Sequence, residues 1–222
     1  VLRSLTFRSW LKALARRFRP RPTSPIRRLR PQFRPGLEEV EDRVVPAVKT
    51  WALATGGAWT TAANWSGGTV PADGDSIVIP DLAGSQTITV NTTVSVAGIQ
   101  SGETISVTGG TLSNTGNLTN SATASGTLSV AGGIFSESGT NWSNAGSFNV
   151  SGGTLSLGGS FTTAGIGTIS RTGGFVDVNG ALDNTGAVFD ASAGGYRTRG
   201  TITGGTISTG GQHFTGFTGT LD

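Results

Sequence analysis

The sequence predicts an all-β chain wound as a parallel β-helix, a β-solenoid with about three short strands per coil. Three observations carry that expectation. Gly-Gly pairs recur at positions 109, 132, 152, 173 and 194, spaced by 23, 20, 21 and 21 residues, with another pair at 204 after only 10. A period near 20 residues is the mark of a stacked repeat array. The residues that follow each pair alternate: Leu112, Phe135, Leu155, Val176, Arg197 and Ile207 come second, and Ser113, Ser136, Ser156, Asp177, Thr198 and Ser208 third. Five of those six second positions are apolar and every third position is polar, the period of a half-buried strand. The chain also holds 36 Gly among 222 residues, no Cys and no Met, with 13% charged residues. Gly, Thr and Asn are poor helix formers, whereas the Val, Ile, Leu and Phe that dominate its apolar set suit a pleated surface.

One block of 21 residues divides into GGTLSLG, GSFTTAG and IGTISRT, and the next into GGFVDVN, GALDNTG and AVFDASA. Each third offers one or two apolar residues and then a turn of Gly, Asn or Ser. One coil per block, with a strand on each of three sides, stacks into three parallel sheets about 4.8 Å apart from rung to rung. Gly supplies positive-φ corners, and Ser, Thr and Asn bond to local backbone there. Residues 85–222 form the repeats, with room for roughly six rungs. A β-sandwich is the rival fold, but its hairpins would not need Gly-Gly pairs stacked in register.

Ahead of the repeats lie three segments. Residues 1–36 are an Arg/Pro-rich leader or disordered tail, residues 37–50 a charged linker and residues 51–84 a Trp-rich N-terminal cap. Charge follows this division. Residues 1–49 carry 13 basic against 4 acidic residues, a net +9, and residues 50–222 carry 3 against 9, a net −6. A basic tail thus precedes a mildly acidic body. Leu5, Trp10, Leu11 and Leu14 line one side of a short helix expected within residues 4–19, and the prolines from Pro20 to Pro46 forbid a longer one. The tail reads as an export leader touching a membrane surface, as a bland disordered arm, or as a nucleic-acid arm, the last being disfavoured. Its longest apolar run, Ala13-Leu14-Ala15, is too short for an ordinary secretory signal. Val1 reads as an alternative start or the beginning of a fragment, and the chain's other end as truncated or as part of a longer array.

The stretch LEEVEDRVVPA is distinctive. Leu37, Glu38, Glu41, Asp42, Arg43, Pro46 and Ala47 match a pattern, LExLEDRxxPA, with Val40 where Leu is usual. It resembles the segment near the N-terminus of many large exported surface proteins of planctomycete-type bacteria, a relative of the LEPR-xLL motif. That resemblance implies export and a cell-surface or extracellular location. The alternative is a charged linker without a sorting role.

Residues 64–79 read NWSGGTVPADGDSIVI. This opening resembles the start of G8-type domains and autotransporter-like β-helices, which implies a β-rich extracellular domain and carries no catalytic residues across. Trp51, Trp59 and Trp65 have two readings. They cover the open end of the solenoid core, which otherwise exposes core and sheet edge, or they form a platform on which sugar rings stack.

Chemistry is sparse. His213 is the single His, so a His-based metal cluster is excluded, and the calcium repeat GGxGxD is missing. No nucleophile–base pair stands out, and no cofactor is expected. Polysaccharide lyases and hydrolases on β-helices need acids that converge on one groove. Asp177, Asp183 and Asp190, spaced by 6 and 7, fall on three different sides of a coil. Asp73 and Asp75 sit in a turn before a strand and read as caps. The expectation is a non-catalytic exported solenoid with a structural or adhesive role, whose partners are surface polysaccharide or other cell-surface proteins. A fragment of a carbohydrate-active β-helix enzyme is the alternative.

One rung breaks the pattern. Arg197 falls where the others place an apolar residue, and a guanidinium in a dry core costs several kcal/mol. A one-residue register slip is therefore expected. It turns Tyr196 and Thr198 inward and Arg197 and Arg199 outward, and it brings Asp177 within reach of an Arg as an exposed pair worth at most about 1 kcal/mol. The two arginines read as a solvated basic spot or as a small patch for anions or acidic glycans.

Overall fold

The computed structural model describes residues 46–120, 126–214 and 220–221. The expected helix at residues 4–19, the expected disorder of residues 20–45 and the motif residues Leu37, Glu38, Glu41, Asp42 and Arg43 lie outside them. Within them the chain is a parallel β-solenoid of about six turns, as its periodicity predicts.

The ladder begins with β1 (Val48–Thr50) and β2 (Gly57–Ala58), then β3 (Ser76–Ile79) and β4 (Thr87–Val90). Next come β5 (Val94–Ser101), β6 (Thr104–Val107), β7 (Thr111–Asn120) and β8 (Thr127–Val130). β9 (Ile134–Glu137), β10 (Ser147–Val150), β11 (Thr154–Leu157) and β12 (Ser160–Thr162) follow, then a single helical turn, α1 (Thr163–Ile166), and β13 (Thr168–Arg171). The last turns are β14 (Phe175–Val178), β15 (Ala181–Asp183) and β16 (Val188–Asp190), then β17 (Tyr196–Thr198), β18 (Thr201–Thr203) and β19 (Thr206–Ser208), with β20 (Thr220–Leu221) beyond.

These strands stack on three sides. The first sheet runs β1-β3-β5-β7-β9-β11-β14-β17, and the second β2-β4-β6-β8-β10-β13. Two shorter ladders, β12-β15-β18-β20 and β16-β19, complete the later turns. β5 and β7 are long because each rounds a corner, with an irregularity between Val96 and Gly98 that turns the chain from one side to the next. The registers are strict: Leu112, Phe135, Leu155 and Val176 pair in sequence along one side. All four are fully buried. Full burial of one such side chain stabilises by about 1.5–3 kcal/mol, so each inward column is a continuous apolar stack.

Glycine stacking at the corners is equally strict. Gly153 has φ +61, and a Cβ there would strike the Gly133 carbonyl oxygen one turn below. No other residue fits both the φ and the space. The pair at 204 is different and corrects the sequence alignment. Gly205 lies over Asn184 and Ala187, and β19 pairs with β16 rather than continuing the first sheet. The 10-residue gap therefore separates two corners of one coil. It is not a shortened rung.

The repeat also starts earlier than residue 85. β1 pairs with β3, and β3 with β5, in parallel register. The linker's last residues and the Trp-rich segment are thus already the first turns. Two 3-10 turns, Ala62–Asn64 and Ser66–Gly68, join α1 as the short helical pieces of the body, where none was expected. α1 lengthens one side of its coil, so the coil is not divided into equal thirds.

Candidate functional site

The three tryptophans are buried, with 2%, 0% and 2% of Trp51, Trp59 and Trp65 exposed. Trp65 packs edge-on against both neighbours, 5.0 Å from Trp51 and 4.8 Å from Trp59 between ring centres. Trp51 Nε1 donates to Thr55 O and Trp65 Nε1 to Trp59 O. With no ring face open, they fill the end of the core, and a sugar-stacking platform is not available from them. Of the sorting-like residues, Pro46 is exposed and Ala47 is held by Asp75, whose Oδ1 accepts from Ala47 N at 2.8 Å.

The acids are engaged by the chain itself. Asp75 also accepts from Ala72 N, and Asp73 accepts from Ser95 N. Both brace turns, as their positions suggested. Glu103, fully buried, accepts from Leu82 N and Gln86 N, each at 2.7 Å. Asp183 and Asp190 each accept a backbone N–H two residues on. Bonds from Thr185 and Ser192, side chain first and then backbone, hold these two carboxyls below the usual range. Asp177, Asp183 and Asp190 lie on β14, β15 and β16, three sides of one coil, so they do not share a groove.

Glu137 is the exception in charge. It ends β9 fully buried, and burial raises its pKa to about 7 against the opposing bonds from Asn114 Nδ2, Gly139 N and Ser138 N. Sequence reading missed it, because it occupies an inward position in an otherwise ordinary IFSE strand. A carboxylate among inward residues was the available signal.

The register slip is present. Val176, Asp177 and Val178 pair with Tyr196, Arg197 and Thr198. Tyr196 and Thr198 are buried and Arg199 is exposed. Arg197 Nε and Nη2 grip the two oxygens of Asp177, Nη2 to Oδ2 at 2.8 Å. Its guanidinium also lies 4.1 Å from the ring centre of Phe175. Only 7% of the Asp177 side chain is exposed, and 24% of that of Arg197. The expectation of an exposed pair is corrected: the pair is largely enclosed, with the Phe175 ring against the guanidinium. Arg197 is neutralised in place, which leaves Arg199 as the solvated cation of this spot. His213 is exposed near the last described turn.

Arg171 was not singled out from sequence. It ends β13 and reaches over the corner, where Nε and Nη2 donate to Gly174 O and Nη1 to Ala193 O. It clamps two turns where Gly195 leaves room.

Between β13 and β16 the ladder is interrupted. A cleft of about 280 Å³ opens there, floored by Ile166, Phe189 and Tyr196 and rimmed by Thr168, Val188 and Asp190. The Tyr196 hydroxyl has its pKa raised by burial and by Asp190. Among the described residues no group of three His, Cys, Asp or Glu side chains is placed to hold a metal ion. Compared with protein families, with curated proteins and with solved structures, the chain matches none.

Proposed function

We propose that the chain is an exported, non-catalytic solenoid that serves as a structural or adhesive module of a cell surface. The observation that carries this is how its acids are used. Asp73, Asp75, Glu103, Glu137, Asp177, Asp183 and Asp190 each accept bonds from the chain's own turns or neighbouring rungs. General acid–base work needs such groups aimed at a substrate; here they brace a scaffold. Outward positions are mainly Ser, Thr and Asn, which present a neutral hydrated surface suited to spacing or weak multivalent contact. The LEEVEDRVVPA stretch supports export by resemblance.

Staining intact producing cells with an impermeant antibody to residues 126–214 tests location. Surface signal is expected, and signal only after lysis would overturn export. Incubation with a panel of neutral and acidic polysaccharides tests chemistry. Release of reducing ends or unsaturated sugars above a boiled control would overturn the non-catalytic reading and favour a carbohydrate-active enzyme.

A further inference from the structure

The outer face of the second sheet carries a grid of hydroxyls. On its strands Ile88, Ile105, Leu128 and Phe148 point into the core and are fully buried. The residues on either side of each therefore point outward. The register is unbroken from β4 to β13. It stacks Thr87, Thr104, Thr127, Ser147 and Thr168 in one outward column. A second column holds Thr89, Ser106, Ser129, Asn149 and Ser170. All of these are half-buried or exposed, none is charged, and all but Asn149 carry a hydroxyl. Such positions repeat at about 4.8 Å along the stack and, at every second residue, about 6.6 Å along the strand. Hydroxyls of successive rungs meet: Thr127 Oγ1 and Ser147 Oγ lie 3.1 Å apart. The first sheet's outer face is unlike this, with Ile134 and Phe175 exposed and the Asp177–Arg197 pair across it.

We propose that this grid binds ice. A hydroxyl both donates and accepts, so it can take the place of a water molecule in a lattice. Oxygens on a prism face of ice form a rectangular array with nearly the rung spacing in one direction. In the other their spacing slightly exceeds the two-residue step of a strand. Four of the five residues in the first column are Thr, whose branched side chain is stiff at χ1, and the buried column beneath fixes the backbone. The array is thus ordered before it meets its ligand, which lowers the cost of binding. A charge would hold its own hydration shell against the lattice, and neither column contains one. A saccharide is the weaker occupant. The exposed large apolar residues, Val48, Ile134, Phe175 and Val188, all lie on other ladders, and neither column has a ring to stack on a sugar. This function goes beyond the structural or adhesive role proposed above and holds whether or not the chain is exported.

The test is ice partitioning of the full chain. A dilute solution is frozen slowly onto a cold probe, and protein in the ice is compared with protein left in the liquid, against a globular reference of similar mass. The wild-type chain should be enriched in the ice at least fivefold over the reference. Ser106→Lys and Ser129→Lys, at the centre of the grid, should fall to the reference level. Ser136→Lys, which adds the same charge to the first sheet's outer face, should keep the wild-type value. Circular dichroism checks the fold of each variant, and the wild-type comparison decides even where a variant fails to fold. Wild-type partitioning at the reference level, or an equal loss in a folded Ser136→Lys, would overturn the proposal. Retention on microcrystalline cellulose or chitin without enrichment in ice would overturn it in favour of a glycan surface. A sedimentation mass of twice the chain, reduced to one chain by Ser129→Lys, would overturn it in favour of self-association through this face.

Discussion

Asp177 and Arg197, one above the other on β14 and β17, form a two-pronged ion pair with Nη2 to Oδ2 at 2.8 Å, roofed by the Phe175 ring. The pair exists because the last turns are offset by one residue from the Gly-Gly repeat, which turns Arg197 outward and Tyr196 inward. Asp177 is nearly enclosed, so removing its partner leaves a poorly solvated carboxylate. Arg197→Ser should cost about 1–3 kcal/mol, whereas Arg199→Ser should stay within about 0.5 kcal/mol. Urea denaturation of both variants checks this. Equal effects would mean that the pair is as solvated as Arg199.

Glu137 makes stability depend on pH in an uncommon direction. Its pKa rises from 4.5 to about 7 on folding. Between those values the folded state holds a proton that the unfolded state has lost, so stability falls as pH rises through that window and levels off above about 7. The span corresponds to roughly 3 kcal/mol. Glu137→Gln is neutral at every pH and keeps an oxygen to accept from this cluster of Asn114, Ser138 and Gly139 donors. Thermal melts of the variant should therefore show a flatter profile from pH 5 to 8 and a higher midpoint at pH 8. An unchanged slope would show that Glu137 does not dominate this window.

Gly153→Ala should be among the most damaging changes for its size. The new Cβ meets a backbone oxygen that belongs to a ladder and cannot retreat, and the φ of +61 is strained for Ala as well. A loss of roughly 2–4 kcal/mol is expected. Gly186→Ala is the comparison, since its φ is +71 but no atom lies within 4 Å of its Cβ. It should lose only about 1 kcal/mol. Chemical denaturation that ranks the two alike would mean that φ, and not stacking, sets the cost.

The tryptophans separate similarly. Trp65 lies between two rings and donates to Trp59 O at 2.7 Å, so Trp65→Ala should cost about 3–5 kcal/mol. Trp59 Nε1 is buried without an acceptor. Trp59→Phe removes that unmet donor, which offsets part of the lost packing, and should cost under about 1.5 kcal/mol. Melting temperatures by circular dichroism decide.

The solenoid was legible because its rules are local and repeated: alternation puts Leu112 and Phe135 inward, and crowding puts Gly at the corners. The slip at Arg197 was legible for the same reason, since a charge in a dry column signals its own displacement. The Gly-Gly pair at 204 misled because two corners of one coil share the same chemistry, and spacing alone cannot say which corner a pair occupies. The gap between β13 and β16 left no trace in the pattern. It falls just after α1, where the inward rings of Phe189 and Tyr196 meet edge-on between turns, a contact that no single rung records.

Among the described residues the strand ladders pair each rung with the one above and the one below, along the stacking axis. Tension applied at the chain ends therefore peels rungs one at a time instead of breaking the whole body at once. Each rung of 20 to 23 residues releases roughly 70 Å of extended chain. A tether built this way yields in steps and rewinds from any rung that stays intact. Steady pulling on such a stack should give a series of rung-sized extensions, not a single rupture.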